Sequence, residues 1–158
     1  MNESGARQAD APIPEGWTRS DFPDEFIVRN GPLAVRLDPK DGLLVGLRVE
    51  RRHCNPFDIC HGGMLMTFAD MMVPMAAHHH PQIGRKFLPT ISLATDFLAP
   101  APLGAWLTGR TTILRVTRNL VFAQGLIYAD DALVCRLNGV YKIAGALPEH
   151  LARATHAG

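Results

Sequence analysis

The stretch GGMLMTFADMMVPMAA, residues 62–77, constrains this chain more than any other feature. Its Met, Leu and Ala residues favour a helix, and hardly any face of that helix is polar. Such a helix is about 24 Å long and has to be covered on most sides. Two of its features break local rules. A glycine pair, Gly62-Gly63, opens it although glycine starts helices poorly. A carboxylate, Asp70, sits among Met and Phe side chains, where losing its water is costly. Pro74 also removes the amide that would bond the Asp70 carbonyl, so the helix is expected to kink or loosen one turn beyond the aspartate.

The flanking sequence reads as strands. FIVRNGPLAVRLDPKDGLLVGLRVERRHCN, residues 26–55, looks extended, interrupted at Asn30-Gly31-Pro32 and again at Pro39-Lys40-Asp41-Gly42, a hairpin loop. After HHHPQIGRK come TISLATDFLA, AWLTGRTTILRV, LVFAQGLIYA and ALVCRLNGVYKIA, β-branched and apolar runs separated by turn residues. Two strands, one helix and four strands predict an α+β domain whose antiparallel sheet of about six strands lays one face on the helix. The domain is expected over residues 16–146. Residues 1–15, small and polar with Pro12 and Pro14, read as a disordered leader, and residues 147–158 as a C-terminal tail.

Composition removes several function classes. With 47% hydrophobic and 20% charged residues the chain is globular, and no apolar run approaches the ~20 residues that span a bilayer. A net charge of +1, with Lys and Arg scattered, gives no nucleic-acid footprint. Three cysteines without a CxxC fit a reducing compartment, so a cytoplasmic location is expected. None of Ser4, Ser20 and Ser92 stands in a nucleophile elbow, and there is neither a Walker loop nor a GxGxxG. Cys60 beside His61 could pair as nucleophile and base, but adjacent side chains diverge, and a small buried thiol is the better reading. His78-His79-His80 cannot easily converge on one ion. They read as solvated residues at a frayed helix end, with no metal site.

The chemistry concentrates in CNPFDICHGGMLMTFAD, residues 54–70. Unpaired amides at a helix start, at Gly62 and Gly63, carry partial positive charge and suit a developing oxyanion or a bound carbonyl. An aspartate in apolar surroundings, Asp70, makes a base or nucleophile. The side-chain amide of Asn55 can position a carbonyl or a water. Together they are minimal equipment for hydrolysing an activated acyl bond. Gly62 and Asp70, however, lie eight residues apart, about 12 Å along one helix, and cannot touch the same carbonyl. Two copies of the helix, antiparallel across a two-fold axis, bring the Gly62 end of one to Asp70 of the other. An isologous dimer with shared sites is therefore predicted.

This layout resembles the hotdog-fold thioesterases of the PaaI and acyl-CoA thioesterase 13 type, which carry an Asn, a His-Gly-Gly six residues on, and an Asp nine after the His. Asn55, His61, Gly62 and Asp70 match without a gap, and the resemblance runs from about Phe26 to Ile143. It implies a hotdog fold, a homodimer commonly doubled into a tetramer, and hydrolysis of acyl-CoA thioesters, with coenzyme A entering as part of the substrate and no separate cofactor. It further implies that the Gly62 amide polarises the thioester carbonyl and Asn55 assists there. His61 shapes that end of the site, and Asp70 of the partner subunit acts as general base or nucleophile. Thr90 matches a Ser/Thr that orients the attacking water, and Arg118 a basic turn residue that meets coenzyme A phosphates. Three positions depart from the pattern: Asp58 and Thr117 stand where glycines are usual, and Pro74 interrupts the helix. Two other activities remain open, a hotdog dehydratase using His61 with a carboxylate, and a non-catalytic acyl-CoA binding module.

Overall fold

The computed structural model of the chain describes residues 12–152. Seven strands form one sheet: β1 (Thr18–Arg19), β2 (Leu33–Asp38), β3 (Gly42–Arg48), β4 (Thr90–Phe97), β5 (Trp106–Val116), β6 (Leu120–Ala129) and β7 (Ala132–Lys142). Their order is β1-β2-β3-β5-β6-β7-β4, and every neighbouring pair is antiparallel. The six expected strands are all present, and the seventh is the two-residue β1 on the β2 edge. This is the hotdog arrangement, a long sheet wrapped about one helix.

That helix, α2, covers Gly62–Ala77. Met64, Leu65, Phe68, Ala69, Met72 and Val73 are buried on its sheet side, each large side chain contributing about 1.5–3 kcal/mol of apolar burial. Glycines in the sheet permit this depth. A methyl group at Gly109 would lie 2.6 Å from the Met72 sulfur, and one at Gly125 only 2.7 Å from its Cε, so both positions must stay bare for the helix to nest. Pro74 does not end the helix, which runs on to Ala77.

Two expectations need correction. Residues 26–30 are not extended but belong to a short helix, α1 (Glu25–Asn30). Asp24 caps it, its carboxylate accepting from the Phe26 and Ile27 amides at 2.8 and 3.1 Å. Phe-Ile-Val favours strands, but the capping aspartate followed by Glu25 satisfies the first turn and tips the segment to helix. His78 is also not a solvated end residue: it is half-buried and its Nε2 meets the Lys86 carbonyl at 2.8 Å. Desolvation accordingly lowers its pKa. A third short helix, α3 (Glu149–Ala152), closes the described part of the chain. Residues 1–11 of the expected leader and 153–158 of the tail lie outside the described residues.

Candidate active site

The loop before α2 is built by local hydrogen bonds. Asn55 folds it back, its amide donating to the Ile59 carbonyl and its side-chain Oδ1 accepting from the Phe57 amide, both at 2.9 Å. Asp58 occupies the left-handed region at φ 60°. That conformation suits glycine, and aspartate is among the few other residues that adopt it readily. Its carboxylate pairs with Arg51, so its charge is met locally. Cys60 is buried, and desolvation pushes its thiol up to about 12, leaving an inert thiol beside His61.

His61 then caps α2. Its amide donates to the His53 carbonyl at 2.8 Å, and its ring Nδ1 accepts from the Gly63 amide at 2.9 Å. The His61 carbonyl accepts from the amides of Met64 and Leu65. The first turn thus has the Gly63, Met64 and Leu65 donors engaged, whereas the Gly62 amide makes no hydrogen bond among the described residues. Of the two glycines read as a carbonyl-binding pair, Gly62 carries the open donor and Gly63 is held by its own cap. The ring of Phe97, at the end of β4, stands 3.4 Å from where a Gly62 side chain would begin. Beneath the loop, buried His53 accepts the Glu50 amide on Nδ1 at 3.0 Å, and burial, helped by the Arg52 charge, lowers its pKa and favours the neutral ring.

Asp70 belongs to a different part of the helix. Gly63, Met66, Thr67, Asp70 and Pro74 form the stripe of α2 that the sheet leaves uncovered, at the three- and four-residue spacing of one helical face. Thr90, the first residue of β4, donates its hydroxyl to Asp70 Oδ1 at 2.6 Å. The carboxylate is therefore half-buried and oriented, not enclosed among apolar side chains. Both residues line a pocket of about 630 Å³ whose remaining wall is mainly Met, Phe, Leu and Pro. Behind them Tyr141 is fully buried, and desolvation first and the Asp70 charge second raise its pKa.

Within this single chain the expected residues fall into two groups. Asn55, His61, Gly62 and Gly63 stand at the start of α2, Asp70 and Thr90 at its middle. Arg118 goes with the second group by position in the fold. It is exposed in the β5–β6 turn, where the Asn119 carbonyl accepts from Ile143, next to Lys142, whose amide donates to the Pro89 carbonyl. That turn needs no glycine because the Thr117 hydroxyl closes it, accepting from the Leu120 amide at 3.0 Å. No group of three or more His, Cys, Asp or Glu among the described residues is placed to hold a metal. Pocket residues from the chain ends, Phe22, Phe26, Ile27 and Leu147, went unforeseen. Asp24 before an apolar segment was the one signal that could have placed Phe26 and Ile27 on a helix.

A family model, Thioesterase superfamily, matches residues 57–136, the stretch from the α2 loop into β7. The chain belongs to the thioesterase superfamily. A Pseudomonas aeruginosa relative named "Putative esterase PA0474" is 29% identical over 131 residues, covering 83% of this chain and 97% of its own. Among solved structures, a point mutant of the phenylacetic acid degradation protein PaaI from Thermus thermophilus superimposes with a TM-score of 0.65 at 22% identity, over 77% of this chain and 100% of that one. A Streptococcus pneumoniae TIGR4 protein described as a hypothetical thioesterase, solved with coenzyme A, gives a TM-score of 0.61 at 18% identity, over 73% and 88% of the two chains. This thioesterase-superfamily member is thus a thioester hydrolase on a PaaI-like hotdog scaffold. No helix among its described residues is long and apolar enough to cross a membrane.

Proposed function

We propose that the protein hydrolyses acyl-CoA thioesters to the free acid and coenzyme A, in sites shared between two copies of the chain. The observation that carries this is the division along α2: an open amide at Gly62, and an oriented carboxylate at Asp70 beside an apolar pocket, about 12 Å apart. An antiparallel second copy places its own Gly62 amide opposite Asp70 and covers the bare stripe with Met66 and Thr67 on it. The acyl group then enters the pocket, and the thioester carbonyl accepts from Gly62, which stabilises the oxyanion as it forms. Asp70, held by Thr90, takes a proton from the attacking water, or attacks the carbonyl carbon to form an anhydride that water then hydrolyses. In both routes the C–S bond breaks, the acid is released, and coenzyme A leaves as the thiolate, which takes up the proton.

Asn55 donates its side-chain amide to the carbonyl or the water, since only its oxygen is engaged in the loop. His61 acts through geometry, keeping the first turn of α2 in place. Arg118 reaches the coenzyme A phosphates from its turn. The pneumococcal relative solved with coenzyme A supports this substrate class. Dimers pairing into tetramers, in a cytoplasmic setting, complete the reading.

Asp70→Ala tests it. Hydrolysis of an acyl-CoA panel, followed with a free-thiol reagent, is expected to fall by roughly 10²–10⁴ with circular dichroism unchanged. Undiminished turnover rejects the role of Asp70. Water loss from a 3-hydroxyacyl-CoA without thiol release points instead to a dehydratase, and tight binding without turnover to a carrier.

A further inference from the structure

The pocket beside Asp70 has two walls of different origin. Its inner wall, including Met71, Pro74, Met75 and Leu93, lies on α2 and β4, inside the stretch that matches the thioesterase model. Its outer wall, Phe22, Phe26 and Ile27 from the N-terminal arm and Leu147 from the C-terminal segment, lies outside residues 57–136. Gly62 and Asp70 lie inside the matched stretch, and these four outer-wall residues lie outside it.

Apart from Ile27, which packs against the core, that wall is held mainly at its ends. No residue of α1 is buried, and Phe26 is 57% exposed although it lines the pocket. Asp24 fixes the start of α1. Arg52 fixes its end, its guanidinium donating to the carbonyls of Arg29 (2.7 Å) and Gly31 while Glu50 holds the guanidinium at 3.0 Å. On the other side the Leu147 amide donates to the Arg85 carbonyl at 3.1 Å, and the Phe87 amide to the Gly145 carbonyl at 3.0 Å. Backbone bonds thus position the wall, and its pocket-facing rings can be trimmed without emptying the core.

We infer that Phe22 and Phe26 determine specificity by limiting the length of the acyl group that the site accepts. This rests on the reading that the pocket receives the acyl part of a thioester. Most of the lining suits a hydrocarbon chain: Met66, Met71, Met75, Phe22, Phe26 and Phe87 all line it, with Lys86 as a lining cation. Asp24 Oδ1 is engaged in capping and His78 Nε2 meets a carbonyl, so neither of these atoms is open to an acyl substituent.

The test uses the full chain, straight-chain thioesters from butyryl- to dodecanoyl-CoA, and three variants: Phe22→Ala, Phe26→Ala and Val28→Ala. Val28 is 61% exposed on the same helix but does not line the pocket. The expected result is that either Phe variant raises kcat/KM for the longest substrate relative to the shortest by about tenfold, mainly through KM, while Val28→Ala keeps the wild-type ratio. An unchanged ratio in both Phe variants at wild-type melting temperature overturns the inference, as does an equal shift from Val28→Ala. If the wild type hydrolyses no thioester, the catalytic reading fails by itself. Calorimetric titration with non-hydrolysable S-alkyl-CoA thioethers of the same lengths then decides the wall's role by the same ratio of affinities, and a lack of binding overturns it.

Discussion

The two ends of the candidate machinery are made in different ways. The start of α2 is a local construction, in which Asn55, His61 and Gly63 find partners within a few residues and leave the Gly62 amide open. The region around Asp70 is assembled at long range: Thr90 comes from 20 residues away, and the pocket beside it is closed by both ends of the chain. The loop that carries this N-terminal device is itself anchored at a distance, the Cys60 amide donating to the Ala101 carbonyl at 2.7 Å and the Leu103 amide to the Asp58 carbonyl at 2.8 Å. The Asp70 region exists only once the sheet has wrapped the helix. The comparison therefore separates residues that supply chemistry from those that shape the substrate's space.

After Asp70→Ala, the largest expected effect comes from changing the N-terminal device at its open backbone amide. Gly62→Pro removes the amide hydrogen and little else, because proline is at home in the first turn and His61, at φ −62° and ψ 138°, already has the extended conformation that precedes proline. Turnover is expected to fall by about 10²–10³ with unchanged melting, as measured by thiol release. A variant with near wild-type kcat separates the open amide from the reaction.

A smaller loss is expected on the Asp70 side. Thr90→Val keeps the shape of the side chain but deletes the 2.6 Å hydroxyl donation to the carboxylate. Losing a hydrogen bond to a charged group costs about 1.5–3 kcal/mol, and so kcat is expected to drop by roughly 10- to 100-fold with KM little changed. A KM effect alone assigns Thr90 to the pocket instead.

The smallest effect belongs to the cap itself. His61→Ala removes the Nδ1 acceptor for the Gly63 amide. Losing an N-cap acceptor costs about 0.5–2 kcal/mol, to be read as a lower urea midpoint with an unchanged slope. A kcat loss matching that of Gly62→Pro makes His61 more than a cap.

The same division explains what could be read before any coordinates. The limits of α2 and the four strands after it follow from patterns contained in each segment, a Met-, Leu- and Ala-rich run for the helix and β-branched runs between turn residues. So does the Asn55–His61–Gly62 device, whose side-chain bonds go to the nearby Phe57 and Gly63 amides. What was misjudged depended on competition or distance. Phe26–Asn30 has strand-favouring side chains, and the Asp24 cap decided otherwise. His78 read as solvated because its cover, the Lys86 carbonyl, comes from the connection to β4. The outer pocket wall joins residues near opposite ends of the chain, and no window of sequence contains it.

Complementation between two inactive variants tests the central claim most directly. Asp70→Ala and Gly62→Pro chains carrying different tags are co-expressed, and the heterodimer is purified through both tags. With sites shared across the two-fold axis, one site combines an intact Gly62 from one chain with an intact Asp70 from the other, and the heterodimer is expected to regain about half of the wild-type activity. A heterodimer as inactive as its two parents contradicts the account.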